Sequence, residues 1–362
     1  MLKNEKLAEI KASPYFALLC DETTDVTVLE QLIVHITYLD CVERETKVTF
    51  LEINEIANCT SDVIKDKLVE VLRRTGLDFR SKMAGFGSDG ASTMVGRING
   101  VAAQLKRESS TIISNHCVAH RLALAVGGAS GKVDYVKKFN NTLEILYHFY
   151  EKSSVRTAAL KEIQDSLHVP SSRPKRPRTT RWLSHDQACD TLSKTLPAVM
   201  VSLRREGSER GDPKAIGLSL LVEDWRFVAC FYMMLDILPQ LSILSKSFQE
   251  NSLDFEIIQK QVAMTVEILE ARLVRPGPNF HKMQQGTVLE AVKQKIPDFT
   301  PNIKEGDLEK FKENYFFRMS KGVGILRLVA TGRNLEALEL FALFGAPLTL
   351  RNDECVEDCC GS

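Results

Sequence analysis

The sequence predicts an α/β fold, a mixed sheet with helices, followed by an all-helical region. Two observations carry the prediction. Short runs rich in β-branched and aromatic residues occur before Val133, and strand patterning fades after it. Two acidic residues, Asp21 and Asp89, each stand where such an apolar run ends.

The run Tyr15 to Cys20 is bounded by Pro14 and reads as a buried strand. It feeds into Asp21-Glu22-Thr23-Thr24-Asp25, with Asp21 expected at or just past its carboxyl end. A carboxylate there can project into a cleft and hold a metal ion for phosphate chemistry. The same residues also suit a polar turn. Gln31 to Leu39 and Lys47 to Ile56 read as two further strands with short links, hence antiparallel hairpins. His35 is expected on a face of the sheet. A helix follows Thr60-Ser61-Asp62, with Val63, Ile64, Leu68, Val71 and Leu72 on one face and Gly76 as its stop. Lys82 to Gly87 reads as a strand leading into Asp89, and Gly90 permits a tight turn. A helix through Val101 and Leu105, a strand at Ile112 to Ser114 and a helix from Val118 to Val126 complete this region.

Helical spacing covers Val133 to Tyr150, Val155 to Leu167, Asp186 to Arg205, Trp225 to Phe248 and Asp254 to Val274. Between the second and third of these lies Val169 to Arg181, with three prolines and the basic residues Arg173, Lys175, Arg176, Arg178 and Arg181. Proline at this density excludes helix and central strand. The segment reads as an exposed linker suited to nuclear import or phosphate contact, or as a solvated connection only. Trp182 either packs on the next helix or stacks on a base.

The 362 residues are long for one domain, and a hydrophobic content of 44% suffices for a core. Lys+Arg and Asp+Glu are both 47, so any attraction to nucleic acid must come from local patches. Nine cysteines without a framework of paired spacings suggest a reducing compartment. No signal peptide and no membrane span are expected.

Five motifs then fall in order: CDETTD at Cys20–Asp25, SDGASTMVG at Ser88–Gly96, HCVAHRLALA at His116–Ala125, TRW at Thr180–Trp182 and LSILSKSFQ at Leu241–Gln249. In these the chain resembles the RNase H-like domain of hAT-superfamily transposases, from Pro14 to at least Gln249. The helical region resembles that family's all-α insertion domain. The resemblance implies an incomplete RNase H-like α/β domain at 14–168 and a basic proline-rich linker at 169–181. It further implies an insertion-like all-α domain at 182–350, and 351–362 reads as a disordered tail.

Asp21 and Asp89 match the first two acids of the family's metal-binding triad, which holds Mg²⁺ in active enzymes. The third, a glutamate, is unmatched, as is the C-terminal dimerisation segment, so the domain is expected to be truncated. Glu144 and Glu223 are stand-ins without a motif. Cys117 and His120 match the family's CxxH motif near the DNA path, and two ligands do not make a zinc site. Trp182 matches a base-stacking tryptophan, and Arg181 a phosphate contact. The resemblance thus implies a nuclear, transposon-derived, catalytically inactive protein that binds DNA or chromatin. No cofactor is required, although Mg²⁺ is possible if the acidic site functions. Protein partners are possible, and no small-molecule substrate is expected. The alternatives are a residual Mg²⁺-dependent nuclease or strand transferase, and a protein-interaction scaffold without DNA.

Overall fold

The strand that begins at Phe16 lies at the centre of a five-stranded mixed sheet, in the order β3-β2-β1-β4-β5. The computed structural model describes residues 4–24, 30–131, 133–177, 182–249, 255–285, 293–294 and 306–311. The chain forms two units. The first runs to Arg121 and includes the segment Ser247–Lys260; the second holds Leu122–Lys246 and resumes at Gln261.

The first unit opens with helix α1 (Asn4–Ala12) and strands β1 (Phe16–Thr24), β2 (Glu30–Asp40) and β3 (Glu45–Glu55). Both hairpin pairings are antiparallel, as the short links predicted. Alternation then decides the core. Leu18 and Cys20 stand opposite Ile36 and Val34, and all four are buried. Helix α2 (Ser61–Thr75) covers this face through Ile64, Leu68, Val71 and Leu72. Gly76 ends α2 in the left-handed conformation, φ 71°, where only glycine is unstrained. The start of α2 differs from the expected cap. Thr60 caps it without a side-chain bond, and Asn58 Oδ1 instead accepts from the Thr60 amide and hydroxyl.

The short helix α3 (Phe79–Lys82) leads into β4 (Met83–Ser88), which pairs parallel to β1. Helices α4 (Ser92–Val95) and α5 (Val101–Glu108) follow, then β5 (Ile113–His116), parallel to β4, and the start of α6 (Val118–Ser130), which belongs to the second unit from Leu122 on. Val101, Ala102 and Leu105 of α5 complete the core under the sheet. Lys82 Nζ donates to the carbonyls of Lys11 and Ser13, which ties the exit of α1 to the entry of β4.

The second unit is helical: α7 (Asp134–Glu151), α8 (Ser154–Ser166), α9 (Trp182–Arg210), α10 (Pro213–Glu223), α11 (Trp225–Ser247), most of α12 (Phe255–Val274), α13 (Pro278–Gln284) and α14 (Asp307–Phe311). The helices α10 and α13 were not legible in the pattern. Helix α10 is apolar on every side, so no periodic face marks it. Asp212 caps its first turn, accepting from Lys214 and Ala215, and also receives Arg156 at 2.5 Å. Helix α13 is capped from a distance. The buried Asp236 of α11 accepts from the amides of Asn279 and Phe280 and from Asn279 Nδ2. Helix α11 has the length and hydropathy of a membrane span, but 72% of that window is buried inside the unit, as in a core helix. Of the residues that helical spacing places on the buried face of α12 (Ile258, Val262, Ile268, Leu269 and Leu273), Ile258 and Leu269 are buried, Val262 and Ile268 are half-buried, and the side chain of Leu273 lies outside the described residues; Val266 is buried as well.

Candidate functional site

Strand β1 outruns its parallel neighbour, and this creates the acidic rim. The β1–β4 pairing ends at Leu19 and Gly87, whereas β1 stays paired with β2 as far as Thr24. Asp21 therefore lies within the strand, opposite Ile33, rather than at its end as the apolar run implied. On the β4 side it still stands beyond the last paired residue. It is exposed and has the same parity as Leu19, on the face opposite the buried core. Asp89 follows the last residue of β4, as predicted. One of its oxygens, Oδ1, accepts from the Ala91 amide at 3.0 Å, which fixes the turn into α4.

Glu22 faces the core side instead. Burial, first of all, raises its pKa, aided by the charges of Asp89, Glu30 and Asp21 and opposed by a hydrogen bond with the Cys59 thiol. Its Oε1 is buried and without a hydrogen-bond partner among the described residues. Cys59 donates to Glu30 Oε2 at 3.1 Å, and burial followed by the two glutamates pushes its pKa up to about 12. Cys20 is held protonated by burial and then by Glu22, Asp21 and Asp89. The rim is thus a concentration of negative charge that already keeps its thiols neutral.

His116 closes the rim from β5. The Cys117 amide donates to the Ser88 carbonyl at 2.8 Å, so the ends of β4 and β5 are fastened together. The His116 ring lies over Gly90, where a Cβ would come 2.3 Å from Cε1. Gly90 is therefore needed to admit the imidazole, a reason the sequence alone did not reveal. Burial and then the neighbouring His120 and Arg121 lower the His116 pKa, against the pull of Asp89. The His116 and His120 rings lie 5.4 Å apart, and Cys117 is exposed at the start of α6. Sequence reasoning fixed on Cys117 and His120 and missed Glu22 and His116. The available signal was their position at the ends of β1 and β5.

A divalent ion at this rim would be held by Asp21 and Asp89. Among the described residues no group of three or more His, Cys, Asp or Glu side chains converges to hold a metal. Two carboxylates, one with an oxygen already taken, do not make a two-metal site. Glu223, weighed as a third acid, is bound by Arg204 at 2.8 and 2.7 Å and by Ser219 at 2.6 Å. Glu144 is half-buried on α7, 4.0 Å from His148.

Residues 4–100 match the family model described as DUF4371: ZMYM1/FAM200, RNase-like domain. The match runs from α1 through α4 and takes in both carboxylates of the rim. The sheet and its helices are accordingly an RNase H-like α/β domain, and a helical region follows it.

The basic segment belongs to the second unit, and it is not a free linker along the part described. After α8, His168 turns the chain at φ 53°. Gln164, itself buried, donates Nε2 to the Ser172 carbonyl at 2.5 Å. Residues 169–177 then run without helix or strand, with Pro174 and Pro177 buried and Arg173, Lys175 and Arg176 exposed. Both arginines bear electrostatically on Tyr147 of α7. Arg173, Lys175 and Arg176 make no ion pair among the described residues. Arg178, Arg181 and the side chain of Trp182 lie outside the described residues, as does the tail 351–362.

Proposed function

We propose that this is a transposon-derived nuclear protein of hAT type that binds DNA or chromatin and does not cleave it. The observation that carries the reading is the strap at 169–177. Buried prolines and the Gln164 bond hold the backbone, and three exposed cations make no ion pair among the described residues. Cations held in place lose little freedom when they meet phosphates, and phosphate contact supplies most sequence-independent affinity for DNA. Net neutrality of the chain makes this local presentation matter more. In this reading Arg178 and Arg181 also contact phosphate and Trp182 stacks on a base.

The Asp21–Asp89 rim is read as the remnant of a metal site. A residual Mg²⁺-dependent nuclease is the competing reading of the same carboxylates. A protein scaffold is supported by a different observation: Ile216, Leu220 and Leu221 of α10 are exposed, Leu220 by 71%.

The test is a labelled DNA duplex incubated in Mg²⁺ or Mn²⁺ with wild type, Asp21→Asn and Asp89→Asn. The expected result is a shifted, uncleaved duplex in all three, with equal affinities. Metal-dependent cleavage that both substitutions abolish would establish a working site and contradict the reading.

A further inference from the structure

The loop between α4 and α5 holds a second feature that the acidic rim and the basic strap do not use. It runs Gly96-Arg97-Ile98-Asn99-Gly100 and is closed on itself. The Gly100 amide donates to the Gly96 carbonyl at 3.0 Å. The two glycines approach so closely that a Cβ at Gly100 would lie 2.3 Å from the Gly96 nitrogen. Two side chains of α5 lock the tip from below. Arg107 donates Nη2 to the Ile98 carbonyl, and Gln104 donates Nε2 to the Asn99 carbonyl at 3.1 Å and to Asp62 Oδ1 at 2.6 Å.

The result is a rigid backbone that holds an isoleucine out into solvent. Ile98 is 81% exposed, and Val95, one turn away, is 37% exposed. Arg97 in this loop and Lys106 on α5 are both exposed and make no ion pair among the described residues. A single exposed apolar side chain needs no explanation in itself. Here, however, one backbone and two side-chain hydrogen bonds fix the tip, and exposed cations lie in the loop and on the helix that follows it.

We infer that this loop is a wedge for the DNA minor groove: Ile98 enters against a base step while Arg97 and Lys106 engage the flanking phosphates. An apolar side chain that partly unstacks a step, with basic residues alongside, is the means by which many minor-groove proteins bend DNA. Pre-ordering of the loop removes the entropy loss that a flexible tip would suffer. An anionic lipid surface would also attract cations around an apolar tip. One isoleucine and a half-exposed valine bury too little area to hold a protein on a bilayer, so the duplex is favoured. The inference rests on the DNA-binding reading and adds a contact in the RNase H-like unit.

The experiment uses the full chain and duplexes of mixed sequence, AT-rich and GC-rich, carrying a fluorophore pair at their ends. Affinity is read by anisotropy and bending by energy transfer, for wild type, Ile98→Ala, Arg97→Ala and Lys106→Ala. Ile98 is so exposed that its replacement leaves folding intact, which a thermal melt verifies. Wild type is expected to bend the AT-rich duplex. Ile98→Ala should lose the bend and roughly tenfold in affinity. Arg97→Ala and Lys106→Ala should each lower the salt slope by about one. Wild type that binds while all three variants bind and bend alike would overturn the wedge and leave the DNA-binding reading standing. Wild type that binds neither duplex would overturn both. Loss of binding to phosphatidylserine vesicles with unchanged DNA binding would reassign the loop to lipid.

Discussion

Asp236 shows how much a single buried carboxylate can organise. It sits inside a helix, yet its bonds go to the first turn of another, α13, more than forty residues away. A Cβ at Gly277 would lie 2.2 Å from its carboxyl carbon, so Gly277 is required for the approach. Asp236→Ala takes the carboxylate acceptor from one buried and one half-buried amide and should destabilise the protein by about 2–3 kcal/mol; urea denaturation measures this. Asp236→Asn, which keeps one acceptor oxygen, should cost less. His116 supplies a test by pH. Its pKa in the folded protein is lowered from the ordinary 6.5, mainly by burial. The unfolded chain therefore binds the proton more readily. The stability this represents is present above about pH 6.5 and is lost as the pH falls through the lowered value. The urea midpoint should drop between pH 7 and pH 5 in wild type, and His116→Gln should flatten that drop.

At the scale of elements, the sequence made the sheet legible and left the rim half-read. The hairpins, α2 and its glycine stop all follow from alternation, helical spacing and turn chemistry, which act over a few residues. The extent of β1 did not follow. Glu22 to Thr24 are polar and look like an exit, but β2 is long enough to pair with them. Pairing with a partner strand overrides local propensity. The basic strap was misjudged for a similar reason. Proline density correctly excluded helix and strand, but nothing local showed that Gln164 would bind the Ser172 carbonyl or that Pro174 and Pro177 would be covered. This gives a prediction at the same scale. Trypsin, which does not cut before proline, should cut slowly after Lys175 in the native protein, since Arg173 and Arg176 are each followed by proline. Gln164→Ala removes the anchor and should raise the cleavage rate roughly five- to thirtyfold, the effect of about 1–2 kcal/mol on a local opening equilibrium. Equal rates would mean that the buried prolines suffice.

For the whole molecule, the central claim is that a neutral chain reaches DNA through a small number of fixed cations. Composition alone gave no support to that claim, since 47 acidic residues balance 47 basic ones. Much of the acidic charge is spent internally, as in the pairs of Lys65 with Glu108, Arg156 with Asp212 and Arg204 with Glu223. The strap cations make no ion pair among the described residues. What the sequence could show was their clustering; what it could not show was which of them remain unpaired, because that depends on contacts between residues far apart in the chain. The most direct test is a salt titration of duplex binding by wild type and by the triple substitution Arg173→Ala, Lys175→Ala, Arg176→Ala. Wild-type affinity should fall linearly with salt on logarithmic axes, and the triple variant should lose about three units of that slope together with most of its affinity at low salt. Equal slopes and equal affinities for the two proteins would contradict the account.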